Sequence, residues 1–338
     1  MALRPKLEFI RFSLKPKDGR TKTFRDFAIE ELYQRRPSSD AQIMYKLFDH
    51  FMGGLTTTKA SDSSIKKQIK LIKTKANKYF DHKPVVDPRD YIIHGVINGG
   101  RFGRNGMMGD AEVTADDADA FGPDKTILRY YYFLLYLPLD HGEGCLIVHS
   151  NSREETITDI FKSYLTRIFR GGMYDMPKLF PFAPQSFVRE YVNESVVKSL
   201  EFKETYLNND IFTEEGMDDI VKQYDVTIEI KPKSGTIPYT EVKKIRPLLK
   251  RLGFRRSQQS ESLNDFRSKR IKLRSPFDNS DRTFELDGDA MDIVPVVYLE
   301  DRIDKFNDDD TPDFDELDNL VKNIFKDEVL LELRPDLI

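Results

Sequence analysis

The chain has a single cysteine, Cys145. This rules out an intramolecular disulfide and a cysteine zinc site, and it suits a reducing compartment. Long apolar runs are missing too. The richest, Leu128–Leu139 (LRYYYFLLYLPL), is too short to span a bilayer, and the opening MALRPKLEFIRFSLKPKDG has no apolar core of signal-peptide length. A soluble, cytoplasmic protein with no membrane partner is expected. Basic charge is not in excess: 53 Lys and Arg against 57 Asp and Glu give a net charge of -4, so a polyanion-binding surface requires local segregation. No internal repeat, P-loop lysine, dinucleotide fingerprint, helix-turn-helix, zinc finger or aromatic RNP signature is present, and no cofactor is expected.

The length of 338 residues, 39% of them apolar, allows two domains with cores of their own. Leu7–Leu14 reads as a strand, and Phe24, Phe27, Ala28 and Leu32 mark a short helix. Ser39 or Asp40 caps a second helix with Ile43, Met44, Leu47, Phe48 and Phe51 on one face. The most telling stretch is Leu128–Gly172. Two apolar strands flank the turn Asp140–Gly144, and a helix follows with Ile157, Ile160, Phe161, Tyr164, Leu165, Ile168 and Phe169 in steps of three and four. Strands apolar on both faces need cover on both, so this hairpin and helix should form the centre of the core. Met173–Pro184 reads as a loop, Gln185 or Ser186 opens a helix, and Val196, Leu200, Phe202 and Tyr206 share a strand face. A short helix is expected within Asn208–Gln223. Val226, Ile228 and Ile230 alternate as a strand, Thr240 caps a helix carrying Val242 to Leu252, and Phe266–Pro276 pairs with Arg282–Leu286. Ile293–Leu299 is a buried strand, and Thr311 with Pro312 starts the last helix. The fold class is α+β: mixed, mainly antiparallel sheets with packed helices, in two domains, residues 1–207 and 208–338.

Charge is strongly segregated. Between Lys243 and Arg274, Lys243, Lys244, Arg246, Lys250, Arg251, Arg255, Arg256, Arg267, Lys269, Arg270, Lys272 and Arg274 face only Glu261 and Asp265. From Glu285 to Glu332 there are 17 acids against Arg302, Lys305, Lys322 and Lys326. Packed together, the blocks neutralise each other within the chain or across subunits. Facing apart, the basic block, with the flexible loop Ser257–Ser262, binds phosphate backbone. A second patch is expected on Ile65–Phe80, read as a helix. Lys66, Lys67, Lys70, Lys73, Lys75 and Lys78 lie opposite Ile65, Ile69, Ile72, Ala76 and Phe80, forming either a solvated face or an anion-binding one. Gly99–Gly106 with Arg101 and Arg104 reads as a hairpin loop in preference to a phosphate cradle.

No catalytic set emerges. His50, His82, His94, His141 and His149 show no metal-ligand spacing. His141, Glu143, Cys145 and His149 read as turn and strand residues, and Asp304–Asp318 reads as a solvated loop and helix start in preference to a calcium loop. No metal site is assigned.

Asp225–Gly235 (DVTIEIKPKSG) and Val242–Leu252 resemble a segment of the phage-exclusion RexA family, in which a strand ending in Lys-Pro-Lys leads to a basic helix. The order of parts is also similar to bacterial antiviral-island proteins that include the Kiwa component KwaB: an N-terminal strand, the LYLPL…GEGCLIVHSNS hairpin and helix, a distal basic block and a late acidic helix. The resemblance implies a DNA-associated, non-enzymatic component of phage defence, dimeric and acting with a protein partner, and carries over no catalytic residues. The expected function is phosphate-backbone binding. The alternatives are a scaffold of charge-paired subunits and a metal-dependent nuclease with an unrecognised site.

Overall fold

The structure, a computed structural model, describes residues 5–33, 37, 39–103, 106–108, 119–122, 125–152, 155–205, 225–242, 244, 253–256, 259–262, 268–274, 281–285, 297–299, 302–309 and 311–337. The fold is α+β with antiparallel sheets. In chain order the elements begin β1 (Lys6–Pro16), α1 (Phe24–Phe27), α2 (Asp40–Gly54), β2 (Ser61–Asp62), β3 (Lys67–Lys70), β4 (Val85–Asp87) and β5 (Ile92–Arg101). The short pair β6 (Gly106–Met108) and β7 (Asp119–Phe121) precedes β8 (Arg129–Tyr136), β9 (Glu143–Ser150), α3 (Thr158–Ile168) and β10 (Tyr174–Phe182). Next come α4 (Gln185–Glu194), β11 (Val196–Thr205), β12 (Asp225–Ile230), β13 (Ile237–Pro238), β14 (Gly253–Arg256), β15 (Gln259–Ser262), β16 (Ser268–Arg274) and β17 (Asp281–Glu285). The last are β18 (Val297–Tyr298), α5 (Phe314–Ile324) and, after a π-helical turn, α6 (Leu330–Leu333).

Two compact units result: Met1–Ala183 with Val296–Ile338, and Pro184–Pro295. The division therefore falls at Pro184 and not at residue 208. The chain leaves the first unit, builds the second, and returns to finish the first, so the acidic C-terminal helix belongs with the N-terminal strands.

The first unit is built on a nine-stranded sheet, β10-β1-β9-β8-β5-β3-β2, with β18 beside the start of β1 and β4 beside β5. Its centre is the expected hairpin. Tyr131, Phe133 and Leu135 of β8 face the α2–α3 side, packing with Phe51, Phe161 and Tyr164. Tyr132 and Tyr136 face the opposite side, where α5 and the turn after it supply Asp318 and Phe325. Fully burying side chains of this size stabilises by about 1.5–3 kcal/mol each. The helix ends are satisfied locally. Thr23 and Asp26 form a capping box at α1, Ser39 Oγ accepts the Gln42 amide at 3.3 Å, and His50 Nε2 lies 2.8 Å from the Ile168 carbonyl at the end of α3. At α5 the cap is Asp313 and not Thr311, since Asp313 accepts the Asp315 and Glu316 amides at 3.1 and 3.0 Å. Thr311 is instead buried against Tyr79 and Asp309.

Two local expectations are overturned here. Met173–Pro184 is largely strand: β10 lies along β1 from Tyr174 to Phe182, its backbone bonds supplied by pairing despite Pro177 and Pro181. Ile65–Phe80 is not a helix. Asp62 Oδ1 accepts the Ser64 amide at 3.0 Å and its hydroxyl at 2.6 Å, Lys66 takes φ 52°, and the chain folds back as the β2–β3 hairpin. Ile69 and Ile72 are buried, as helical spacing also required, but from a strand and the segment after it. The glycine-rich stretch is partly strand and not all loop: Gly99 and Gly100 lie in β5, in register with Ile69 and Gln68, and β6 pairs with β7 and not with β5. At Gly100 a Cβ would sit 2.0 Å from the Ile127 carbonyl oxygen, and Gly103 takes φ +78°.

In the second unit β12-β11-β16-β17 form a sheet, with β13 beside β11. Val197, Leu200, Phe202, Ile271 and Leu273 make its core with Tyr239 and Val242. A bulge between Val197 and Ser199 changes the parity of β11, so Val197 rather than Val196 joins Leu200 in the core. The expected flexible loop at Ser257–Ser262 contains strand β15, paired with β14. The short helix at 208–223 and most of the helix at 242–252 lie outside the described residues.

The strand assignment at Lys67 is directly testable. Its ammonium donates to the Thr156 carbonyl at 2.8 Å and to both Asp159 oxygens at 2.8 and 2.7 Å, with only 4% of the side chain exposed. Lys67→Met should lower unfolding free energy in urea by about 1–3 kcal/mol, while Lys70→Met and Lys73→Met should stay within about 0.5 kcal/mol. Equal effects at all three positions would restore the helical lysine face.

Candidate nucleic-acid interface

Alternation in β16 sorts the basic block by face. Ile271 and Leu273 enter the core, fully buried, while Arg270, Lys272 and Arg274 emerge on the other face, Lys272 exposed and the arginines half-buried. A strand rises about 3.3–3.4 Å per residue, so successive cations stand roughly 6.7 Å apart. Lys269 lies on the same strand, in register with Phe202.

The neighbouring strands interleave acids with the row. Glu201 of β11 and Glu285 of β17 are in register with Arg270, Asp281 is in register with Arg274, and Lys272 lies between Ser199 and Thr283. Glu229 of β12, in register with Glu201, is held below the usual carboxylate range by hydrogen bonds from Lys231 and Ser199, with the charge of Lys272 contributing. Opposite charges directly across a ladder are worth roughly 0.2–1 kcal/mol. Of the expected phosphate-binding surface, β16 thus contributes a line of three cations with acids in register at Arg270 and Arg274.

The other expected contact residues are dispersed. Lys243, Lys250, Arg251 and Arg267 lie outside the described residues, as does Arg246. Lys244 is exposed and pairs with Glu241 at 2.6 Å. Arg255 and Arg256 lie on β14, in register with Ser260 and Gln259. In the first unit Lys67 is buried with Asp159 and cannot contact a ligand, Lys66 is at the hairpin turn, and Lys70 and Lys73 are exposed.

The acidic C-terminal segment is engaged within the first unit. Asp309 accepts from Tyr79 Oη at 3.0 Å and pairs with Lys78 at 3.3 Å. Glu316 accepts the Asp304 and Lys305 amides, and Asp336 binds Arg334, which also forks onto Asp140. Asp318 gathers His94 Nδ1 at 2.7 Å, Tyr132 Oη at 2.7 Å and Lys322 Nζ at 2.8 Å. Burial pushes its carboxyl up, but these three partners together hold it well below the usual range. His82 and Asp315 lie beside it, 3.7 Å apart, around a cavity of 170 Å³. The spacing of His82 and His94 gave no sign of this cluster, because its acids come from α5, more than two hundred residues later.

The hairpin residues weighed for catalysis do not gather. Glu143 pairs with Arg11, His141 Nδ1 accepts the Glu143 amide at 3.1 Å, and burial pushes the Cys145 thiol up to about 12. Among the described residues no group of three or more His, Cys, Asp or Glu is arranged to hold a metal ion, and no helix is long and apolar enough to cross a membrane.

His149 is fully buried beside Tyr131 and Phe314, with neither ring nitrogen hydrogen-bonded, and burial pulls its pKa down to about 3. The unfolded chain takes up a proton near pH 6.5 and the folded one does not. Stability should therefore fall as pH falls from about 6.5 towards 3, by up to about 1.4 kcal/mol per unit. Urea unfolding at pH 6.5 and 5 should show the wild type losing about 1.7 kcal/mol more than His149→Leu. Parallel pH profiles would exclude a buried neutral imidazole.

Neither a protein-family model nor a curated protein sequence matches this chain.

Proposed function

We propose that the protein binds the phosphate backbone of nucleic acid, without base reading, through the outer face of β16, as a non-enzymatic DNA-associated component of bacterial phage defence. The observation that carries this reading is the alternation in β16, which commits Ile271 and Leu273 to the core and aligns Arg270, Lys272 and Arg274 on one face. Two further features support it. The carboxylates of Asp309, Glu316, Asp318 and Asp336 are taken up by partners in the first unit, and the segment resembling the phage-exclusion family includes β12 of the same sheet. Arginine forks suit phosphate oxygens, and a row on a rigid strand loses little entropy on binding. The bordering Glu201 competes with phosphate for Arg270, so binding is weak and strongly dependent on salt. Dimerisation and a protein partner, which that resemblance implies, belong to the same proposal.

Fluorescence anisotropy with a short DNA duplex across a salt series tests the proposal. Each phosphate neutralised contributes about 0.9 to the slope of log affinity against log salt, so Arg270→Gln, Lys272→Gln and Arg274→Gln together should reduce the slope by up to about 3. The same triple variant should lose protection in a phage-plating assay. Absence of binding at low salt, or a slope unchanged in the triple variant, would dismiss the proposal.

A further inference from the structure

A cavity of about 420 Å³ in the first unit lies where β3 and the segment after it meet the turn that ends α2. Its volume is within the range of small-molecule sites. The lining divides by chemistry. Leu55, Ala60, Ile69 and Ile72, each at most 5% exposed, form an aliphatic floor. Lys70 and Lys73 stand at the rim, exposed, with no ion-pair or hydrogen-bond partner among the described residues. No carboxylate lines the cavity.

Apart from Leu71, the remaining lining is neutral and polar, and part of it is already held in place. Thr56 and Thr57 turn their hydroxyls onto the Gly53 and Gly54 carbonyls at 2.8 and 2.7 Å, closing the end of α2. Asn77 is fixed between Tyr130 Oη and the Tyr79 amide, both at 2.9 Å. Asn98 differs: its Oδ1 is buried and lacks a partner. A buried amide oxygen left unpaired is costly, so it marks a place where a hydrogen-bond donor is accommodated.

We infer that this cavity is a binding site for a nucleoside 5′-phosphate, with the phosphate between Lys70 and Lys73 and the nucleoside on the aliphatic floor within reach of Asn98. Two cations in a carboxylate-free rim select an anion. An apolar floor with one orphaned amide selects an attached body that has both flat apolar surface and hydrogen-bond donors. Inorganic phosphate satisfies the first half and a free nucleoside the second. This site is in the first unit, and it stands or falls independently of the phosphate-backbone reading of β16.

Calorimetric titration of the full chain with AMP, GMP, CMP and UMP tests the inference, with inorganic phosphate and the free nucleosides as controls. At least one nucleotide should bind with one-to-one stoichiometry, at least tenfold more tightly than phosphate or its own nucleoside. Lys70→Ala with Lys73→Ala should weaken it at least tenfold, whereas Lys75→Ala, an exposed lysine outside the lining, should leave affinity unchanged. All three lysines are exposed, so melting temperatures should match the wild type. Asn98→Leu should weaken the nucleotide and leave any phosphate binding alone. No saturable nucleotide binding at millimolar concentration, phosphate bound as tightly as nucleotide, or equal effects of the rim and control variants would each overturn the inference.

Discussion

The first unit depends on covering β8 twice. Its residues from Tyr131 to Tyr136 are all buried, and a strand apolar on both faces is stable only with a layer on each side. One layer, α2 and α3, is nearby in sequence. The other, α5, comes from the far end of the chain, and its Phe314, Leu317, Val321 and Ile324 give it the required apolar stripe. That requirement explains why the chain must return after building the second unit. It also explains where the acidic segment goes, because its carboxylates travel with the stripe.

Docking α5 brings polar groups into a half-buried seam. Asp318 meets His94 and Tyr132 there, Asp309 meets Tyr79 and Lys78, and His149 remains beneath with no partner. Charged carboxylates tolerate such a seam when several donors converge on them. An unpartnered imidazole tolerates it only while neutral. The seam is therefore a structural latch whose strength depends on pH.

The two sheets treat their lysines and arginines differently. In β3, Lys67 is drawn inward by Asp159 on α3, and Lys70, with Lys73 in the segment that follows, is left to line a cavity. In β16 the cations remain outside, but the register sets Glu201 and Glu285 opposite Arg270 and Asp281 opposite Arg274. Net charge over a stretch of sequence is thus a poor guide to surface potential. What counts is which strand lies alongside, and cross-strand neighbours are far apart in the chain.

Local pattern was enough for α2 with its Ser39 cap, for the β8–β9 hairpin and α3, for the alternation in β12, and for pairing β16 with β17. In each, apolar spacing and turn residues point the same way and burial rewards that choice. At Ile65–Phe80 the apolar residues fit a helix, but pairing with β5 and the turn at Asp62–Ser64 favour a strand, so tertiary context prevails over periodicity. The cavity rimmed by Lys70 and Lys73, the gathering of His94 with Asp318, and the return of α5 to the first sheet are decided only by the tertiary structure. Each joins residues that share no local signal, and only the closing of the core makes them neighbours.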